Sequence, residues 1–298
     1  MEIIHKIGFN LKNSPKLYDL VVEHKIKHTN ISLPGEGGNL ICFNISENNP
    51  FWDETLISLQ TSLKFDIYHS GDNFETYFTE NEIRSAEWLR VKSEFDHGYP
   101  EPNGLWPVKQ KSLINVCSRC GIYEQNNHFR IAKEPRMGKN SFMSLISSGE
   151  IFATGNVFDK FAAINTTGFE AREVILHRKN EISQIIKQVY ITQKAAPGLL
   201  LVERSRNVLC PICGTRKLYP HIKGKFLMKK ESIPDNTDFI LTSEWFGVGL
   251  MAFREILVSN RIARLILDEK WQGVRLKVVE LVDSNSDRSG FLEASDLK

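Results

Sequence analysis

The sequence predicts an α+β protein: an acidic N-terminal α/β module (residues 1–103), a larger module (104–282) and a polar tail (283–298). Three observations carry that expectation. Apolar and polar residues alternate along Ile3–Phe9 and Asn39–Ile45, the period of half-buried strands. Glu80–Val91 places Ile83, Ala86 and Arg90 at helical spacing behind Thr79 and Glu82, which read as a capping box. The second module holds two Cys-x-x-Cys-Gly motifs, at Cys117–Gly121 and Cys210–Gly214, each followed by a strand–helix–strand pattern.

Taken in order, the first module opens on the Ile3–Phe9 strand. Pro34–Gly38 has glycines but no Lys-Ser/Thr and no fingerprint spacing, so it reads as a turn. Cys42, inside the Asn39–Ile45 run, reads as a small core residue. After the Glu80–Val91 helix comes Gly98-Tyr99-Pro100-Glu101-Pro102-Asn103-Gly104, a turn-rich break taken as the module boundary. In the second module Glu150–Phe161 aligns with Glu255–Ile266, and the register holds without a gap to Gly168 and Gly273. An alternating strand follows each glycine, at Phe169–Ile175 and Val274–Glu280. Thr154 and Ser259 suit the helix caps, and the glycines suit left-handed C-terminal turns. Val157 and Phe161 lie four apart on one helical face, as do Ile262 and Ile266. Two duplicated units, each led by a knuckle, would pack about a pseudo-twofold; chance similarity of two common motifs is the alternative.

The cysteine pairs carry the chemistry. Two thiolates three positions apart on a tight turn grip one ion from one side, and the following glycine lets the backbone turn toward sulfur. Two such knuckles complete a tetrahedral set, so Cys117, Cys120, Cys210 and Cys213 are the expected ligands of one structural Zn²⁺. The 89 residues from Gly121 to Leu209 separate the pairs, so a shared ion would staple distant parts of a larger domain. A redox dithiol needs a helix after the motif, and Thr215-Arg-Lys-Leu-Tyr-Pro220 does not start one. A secreted disulfide protein would carry a signal peptide, and Met1-Glu-Ile-Ile-His-Lys6 lacks that order. No apolar run approaches a membrane span, so a cytoplasmic protein is expected. His128 and His221 each follow a knuckle by eight residues and read as part of the duplication rather than as ligands.

A net charge of +2 hides an asymmetry. Residues 1–103 carry 16 acids and 9 bases, the remainder 20 acids and 29 bases. Arg204–Lys230 has eight bases and no acid, a patch that reads as a solvated loop before it reads as a phosphate contact. No Gly-x-Ser-x-Gly elbow and no His-Glu-x-x-His occurs, and four thiolates leave a metal no open position. The expectation is a protein without catalysis. Trp245-Phe246-Gly247-Val248-Gly249 reads as a candidate contact segment, whereas Trp88, Trp106 and Trp271 read as core.

The order Phe78-Thr-Glu-Asn-Glu-Ile83, Ala86-Glu-Trp-Leu89, Gly98-Tyr-Pro-Glu-Pro102, then knuckle, unit, knuckle, unit, resembles the double-CXXCG motif family first described in myxobacteria. The resemblance runs from about residue 75 to 282. It implies a cytoplasmic immunity protein that binds a cognate bacterial toxin, with the four cysteines as zinc ligands. Asp72, Glu75 and Glu80, which would steer a basic toxin, and Trp245 and Phe246, which would anchor it, are the expected partner contacts. The alternative is a zinc-ribbon nucleic-acid binder using residues 204–230.

Overall fold

Ile3, His5, Ile7 and Phe9 fall on one face of a strand, and that face is buried in the computed structural model. The structure describes residues 1–34, 38–63, 74–100, 107–146, 148–202, 206–221, 223–283 and 291–293. It divides into two compact units, Met1–Thr79 with His221–Gly224, and Glu80–Pro220 with Lys225–Lys298. The division falls at Thr79/Glu80, where the sequence reading places it at 103/104.

The first unit comprises β1 (Glu2–Asn10), α1 (Pro15–Glu23), β2 (His28–Ser32), β3 (Asn39–Ser46), α2 (Trp52–Leu63) and β4 (Phe74–Tyr77). Its sheet runs β2-β3-β1-β4, antiparallel throughout, with Ile7 opposite Phe43. Leu17, Leu20 and Val21 of α1 and Trp52 and Leu59 of α2 pack on Ile7, Phe9, Ile41, Phe43 and Ile45. His5 lies inside this unit, stacked on Trp52 at 4.1 Å, with Nε2 at 2.8 Å from the Glu47 carboxylate. Cys42 is half-buried on β3, and the Pro34–Gly38 turn falls largely outside the described residues.

The second unit starts with α3 (Glu80–Ser85) and β5 (Trp88–Ser93). The expected helix to Val91 therefore ends early. Trp88, Leu89, Arg90 and Val91 are all buried, a central strand covered on both faces, which no helix periodicity describes. There follow β6 (Leu113–Ile114), β7 (Glu124–Gln125), β8 (Arg130–Ile131), β9 (Phe142–Ser144), β10 (Ile151–Thr154), α4 (Gly155–Ala163), β11 (Phe169–Leu176) and β12 (Glu181–Ile191). Then come β13 (Leu199–Val202), β14 (Asn207–Leu209), β15 (Arg216–Leu218), β16 (Phe226–Lys229), β17 (Phe239–Leu241), β18 (Trp245–Phe246), β19 (Ile256–Ser259), α5 (Asn260–Asp268), β20 (Val274–Val282) and β21 (Phe291–Glu293). The class is α+β, with strand the larger part. Strand β21 pairs with β13, so the segment read as a polar tail contributes to the sheet.

Two sets of strands share one pairing scheme. One sheet is ordered β8-β11-β12-β10-β9, and the other contains β16-β20-β5-β19-β17 in the same sequence of roles. Gln188 on β12 faces Phe152 and Arg172; Arg90 on β5 faces Leu257 and Lys277, 105 residues beyond each. Strand β8 is parallel to β11, and β16 is parallel to β20. The outer strands match too: Met143 faces Phe152, and Ile240 faces Leu257. The cores repeat position by position, with Phe152, Met143, Ile131, Val174 and Ile186 in one and Leu257, Ile240, Met228, Val279 and Trp88 in the other.

The central strands are exchanged along the chain. Strand β5 precedes the first knuckle but lies with β19 and β20; the segment after it then bridges Asp96 to Ser144 on β9 and Pro100 to Ile131 on β8. Strand β12 lies with β10 and β11, and the segment after it bridges Lys194 to Leu241 and pairs Leu199 with Met228. Each set therefore needs a strand that leads into the other.

Gly168 and Gly273 seal this exchange rather than end the helices. Positive φ at the helix C-termini belongs to Asn165 (50°) and Lys270 (54°). A Cβ on Gly168 would stand 2.2 Å from the Phe239 carbonyl oxygen, and one on Gly273 would stand 1.9 Å from that of Phe142. The expected caps differ as well: Thr154 and Ser259 occupy the N-cap positions but make no side-chain cap bond. Their hydroxyls turn instead to the Ser141 carbonyl and the Asp238 carboxylate. Val157, Phe161, Ile262 and Ile266 are buried as their spacing requires. Trp88 and Trp271 are core, and Trp106 lies outside the described residues. Among the described residues no helix is long and apolar enough to cross a membrane.

Candidate metal centre

Both knuckles sit on the tips of β-hairpins. Leu113 faces Gln125 below the first, and Leu209 faces Arg216 below the second. Within each, the glycine N–H donates to the carbonyl of the first cysteine, at 2.8 Å for Gly121 to Cys117 and 3.0 Å for Gly214 to Cys210. The first cysteine's own N–H donates to the carbonyl of Ile122 or Thr215. Both glycines need positive φ, 74° and 68°, to close that turn.

The structure brings the two pairs together across the interval of 89 residues. Cys117 and Cys210 sulfurs are 3.7 Å apart, those of Cys120 and Cys213 are 3.6 Å apart, and all four lie within 4.8 Å of one another. Four sulfurs about 2.3 Å from one ion form a tetrahedron with edges of about 3.8 Å. A disulfide would hold its sulfurs about 2.05 Å apart, so the pairs are not disulfides and the spacing is compatible with a metal site. Cys117, Cys120 and Cys210 are buried and Cys213 is exposed, leaving one open side. The four donors fit a tetrahedral ion, and among the described residues the group comprises these four cysteines, without His128 or His221.

The backbone prepares the thiolates. The N–H groups of Cys213 and Ile212 point at the Cys210 sulfur and bring its thiol down to about 6. Those of Cys120 and Arg119 likewise lower Cys117. Burial pushes the Cys120 thiol up to about 12, so a bound cation is what would keep it ionised. Beside them stands Lys217 of β15, almost wholly buried. Its Nζ donates to the carbonyls of Cys120 (2.8 Å), Gly249 (2.6 Å) and Met251 (2.9 Å). A fixed ammonium there would offset part of the −2 charge of a divalent ion held by four thiolates. Sequence reasoning missed Lys217, because a lysine in a basic run gives no sign of burial. Its alternation with Arg216 on a strand was the available signal.

The other expected contacts fall differently. Phe246 is a core residue, 1% exposed, since β18 pairs with β15 and packs its ring on Phe226 and Phe253. Trp245 is half-buried, covered by the Arg254 guanidinium at 4.4 Å and edge-on to Tyr123. Asp72 lies outside the described residues. Glu75 belongs to the first unit and accepts from Lys6 and Tyr77; Glu80 belongs to the second and accepts from Arg84. Part of the basic run is engaged: Lys223 pairs with Glu47, Lys225 with Glu280, and Lys217 donates to the Cys120 carbonyl. No protein-family model matches the chain, and no curated protein matches it in sequence.

Proposed function

We propose that the protein is a cytoplasmic, zinc-stabilised immunity protein that neutralises a cognate bacterial toxin by direct binding. The observation that carries this reading is the four-cysteine set, whose donors fill every position of a tetrahedral ion and leave none for a substrate. The preference of four thiolates in a tetrahedron makes zinc the assigned ion. Binding rather than chemistry is then the work of the surface. The resemblance to the double-CXXCG family supplies the immunity role. We also propose that the second unit is an internal duplication, supported by the matching registers of its two strand sets and by their exchanged central strands. Under that reading each repeat donates two thiolates, and the metal locks the pair.

Co-expression with a toxin encoded beside this gene tests the proposal. The expected result is rescue of growth and a one-to-one complex isolated with zinc. Absence of both, with the folded zinc protein present in the cell, would remove the immunity reading.

A further inference from the structure

Six exposed aliphatic side chains sit on two segments that meet at the metal centre. Val208, Leu209 and Ile212 lie on β14 and the tip of the second knuckle; Val248, Leu250 and Met251 lie on the turn after β18. Ile212 is 66% exposed, and the least exposed of the six, Leu250, is 40% exposed. The segments are held close. Lys217 spans from β15 to the Gly249 and Met251 carbonyls, and a Cβ on Gly121 would fall 1.9 Å from the Leu250 carbonyl oxygen. Val208 and Leu209 are successive on β14 and point to opposite faces, so at most five of the six share one side. Single exposed apolar residues are ordinary, but a group on segments tied to one centre marks an interaction surface.

The side chains on these segments carry charge of one sign, set against the −2 of a divalent ion held by four thiolates and the exposed Glu124 that follows Tyr123. Residues 117–123, 206–220 and 245–254 contain Arg119, Arg206, Arg216, Lys217 and Arg254, and no carboxylate. Lys217 and Arg254 are spent on carbonyls and on Trp245, while Arg119 and Arg206 are exposed. An apolar patch fringed by cations fits apolar anchors flanked by carboxylates. Nucleic acid fits less well: phosphates would use the cations, but stacking platforms need several exposed rings, and these segments offer Tyr219 alone, with Arg206 6.0 Å from its ring, beside six aliphatic side chains.

We infer that this face docks an acidic segment of a protein partner that carries apolar anchors, and that the metal centre holds the face in shape. The inference rests on the protein-binding reading above and names its surface. Selection of displayed random peptides on the zinc-loaded full chain, followed by anisotropy measurements on the winners, tests it without the toxin. The expected winners combine Leu, Phe or Trp with Asp or Glu. Ile212→Asp or Leu250→Asp should weaken them roughly tenfold or more. Ile182→Asp, at an exposed position on β12, should leave affinity unchanged. Zinc content and melting temperature of each variant separate lost docking from lost folding. No enrichment, winners without carboxylates, equal loss with Ile182→Asp, or an oligonucleotide whose binding is lost with Ile212→Asp would each overturn the inference. Acidic winners without toxin rescue would leave the surface standing and remove immunity; rescue by a folded Ile212→Asp, Leu250→Asp double variant would do the reverse.

Discussion

Replacing Arg90 by methionine removes the cation that faces Glu255 inside the second unit. Arg90 is 1% exposed, its Nη1 is 3.1 Å from the Glu255 carboxylate, and its guanidinium lies 4.9 Å from the Phe226 ring centre. Deleting one partner of a buried pair costs about 3–5 kcal/mol, because the other charge stays desolvated. The matching register supplies an internal comparison. Gln188 occupies the corresponding place on β12, with its amide 3.1 Å from the Glu150 carboxylate. Burial, above all, pushes the Glu150 carboxyl up, so a neutral amide suffices beside it. Arg90→Gln should therefore be milder, about 1–2 kcal/mol. In a unit of this size each kcal/mol moves Tm by roughly 2–4 °C. Arg90→Met should lower Tm by about 6–20 °C and Arg90→Gln by about 2–8 °C. Circular dichroism melts of the zinc-loaded chain, repeated with Glu255→Gln in each background, read this out. A methionine variant as stable as an ordinary surface variant, or a glutamine variant as damaged as the methionine one, refutes the equivalence of the two registers.

Further outcomes follow from the same geometry. Cys210→Ser should lose metal affinity by more than about 100-fold and lower Tm, while Cys42→Ser keeps its metal; metal titration distinguishes them. Gly273→Ala adds a Cβ 1.9 Å from a backbone oxygen at φ 97°, so it should cost well beyond the roughly 1–2 kcal/mol of left-handed backbone alone. Gly138→Ala, at φ 56° with nothing within 4 Å, should cost only that backbone part, and chemical denaturation compares the two. Burial holds His5 below its ordinary value despite the Glu47 hydrogen bond. The unfolded chain then binds the proton more readily, so stability should fall as pH drops below about 6.5 and level off beneath the folded value. A flatter acid limb in His5→Leu checks this; an unchanged slope contradicts it.

The four clustered cysteines were legible because Cys-x-x-Cys-Gly imposes its turn locally, whatever the surrounding fold. Strands β1 and β3 were legible because each has one buried face and so alternates. Helices α4 and α5 showed their buried pairs at a spacing of four. Strand β5 was not legible, since Trp88-Leu-Arg-Val91 is covered on both sides and lacks alternation. Arg90 was placed at helical spacing with Ile83 and Ala86, because its partner Glu255 lies 165 positions away and leaves no local mark. The two- to four-residue strands that complete the sheets are too short to show a period. Phe246 was misread as exposed because burial of β18 depends on parallel pairing with β15, which leaves no local mark.

The central claim is that four cysteines from two distant knuckles hold one metal that locks the second unit. X-ray absorption at the zinc edge on protein purified without chelator, with elemental analysis of the same sample, tests it most directly. The account predicts one zinc per chain with four sulfur neighbours at about 2.3 Å. Substoichiometric metal, or a first shell with nitrogen or oxygen in place of sulfur, would contradict it.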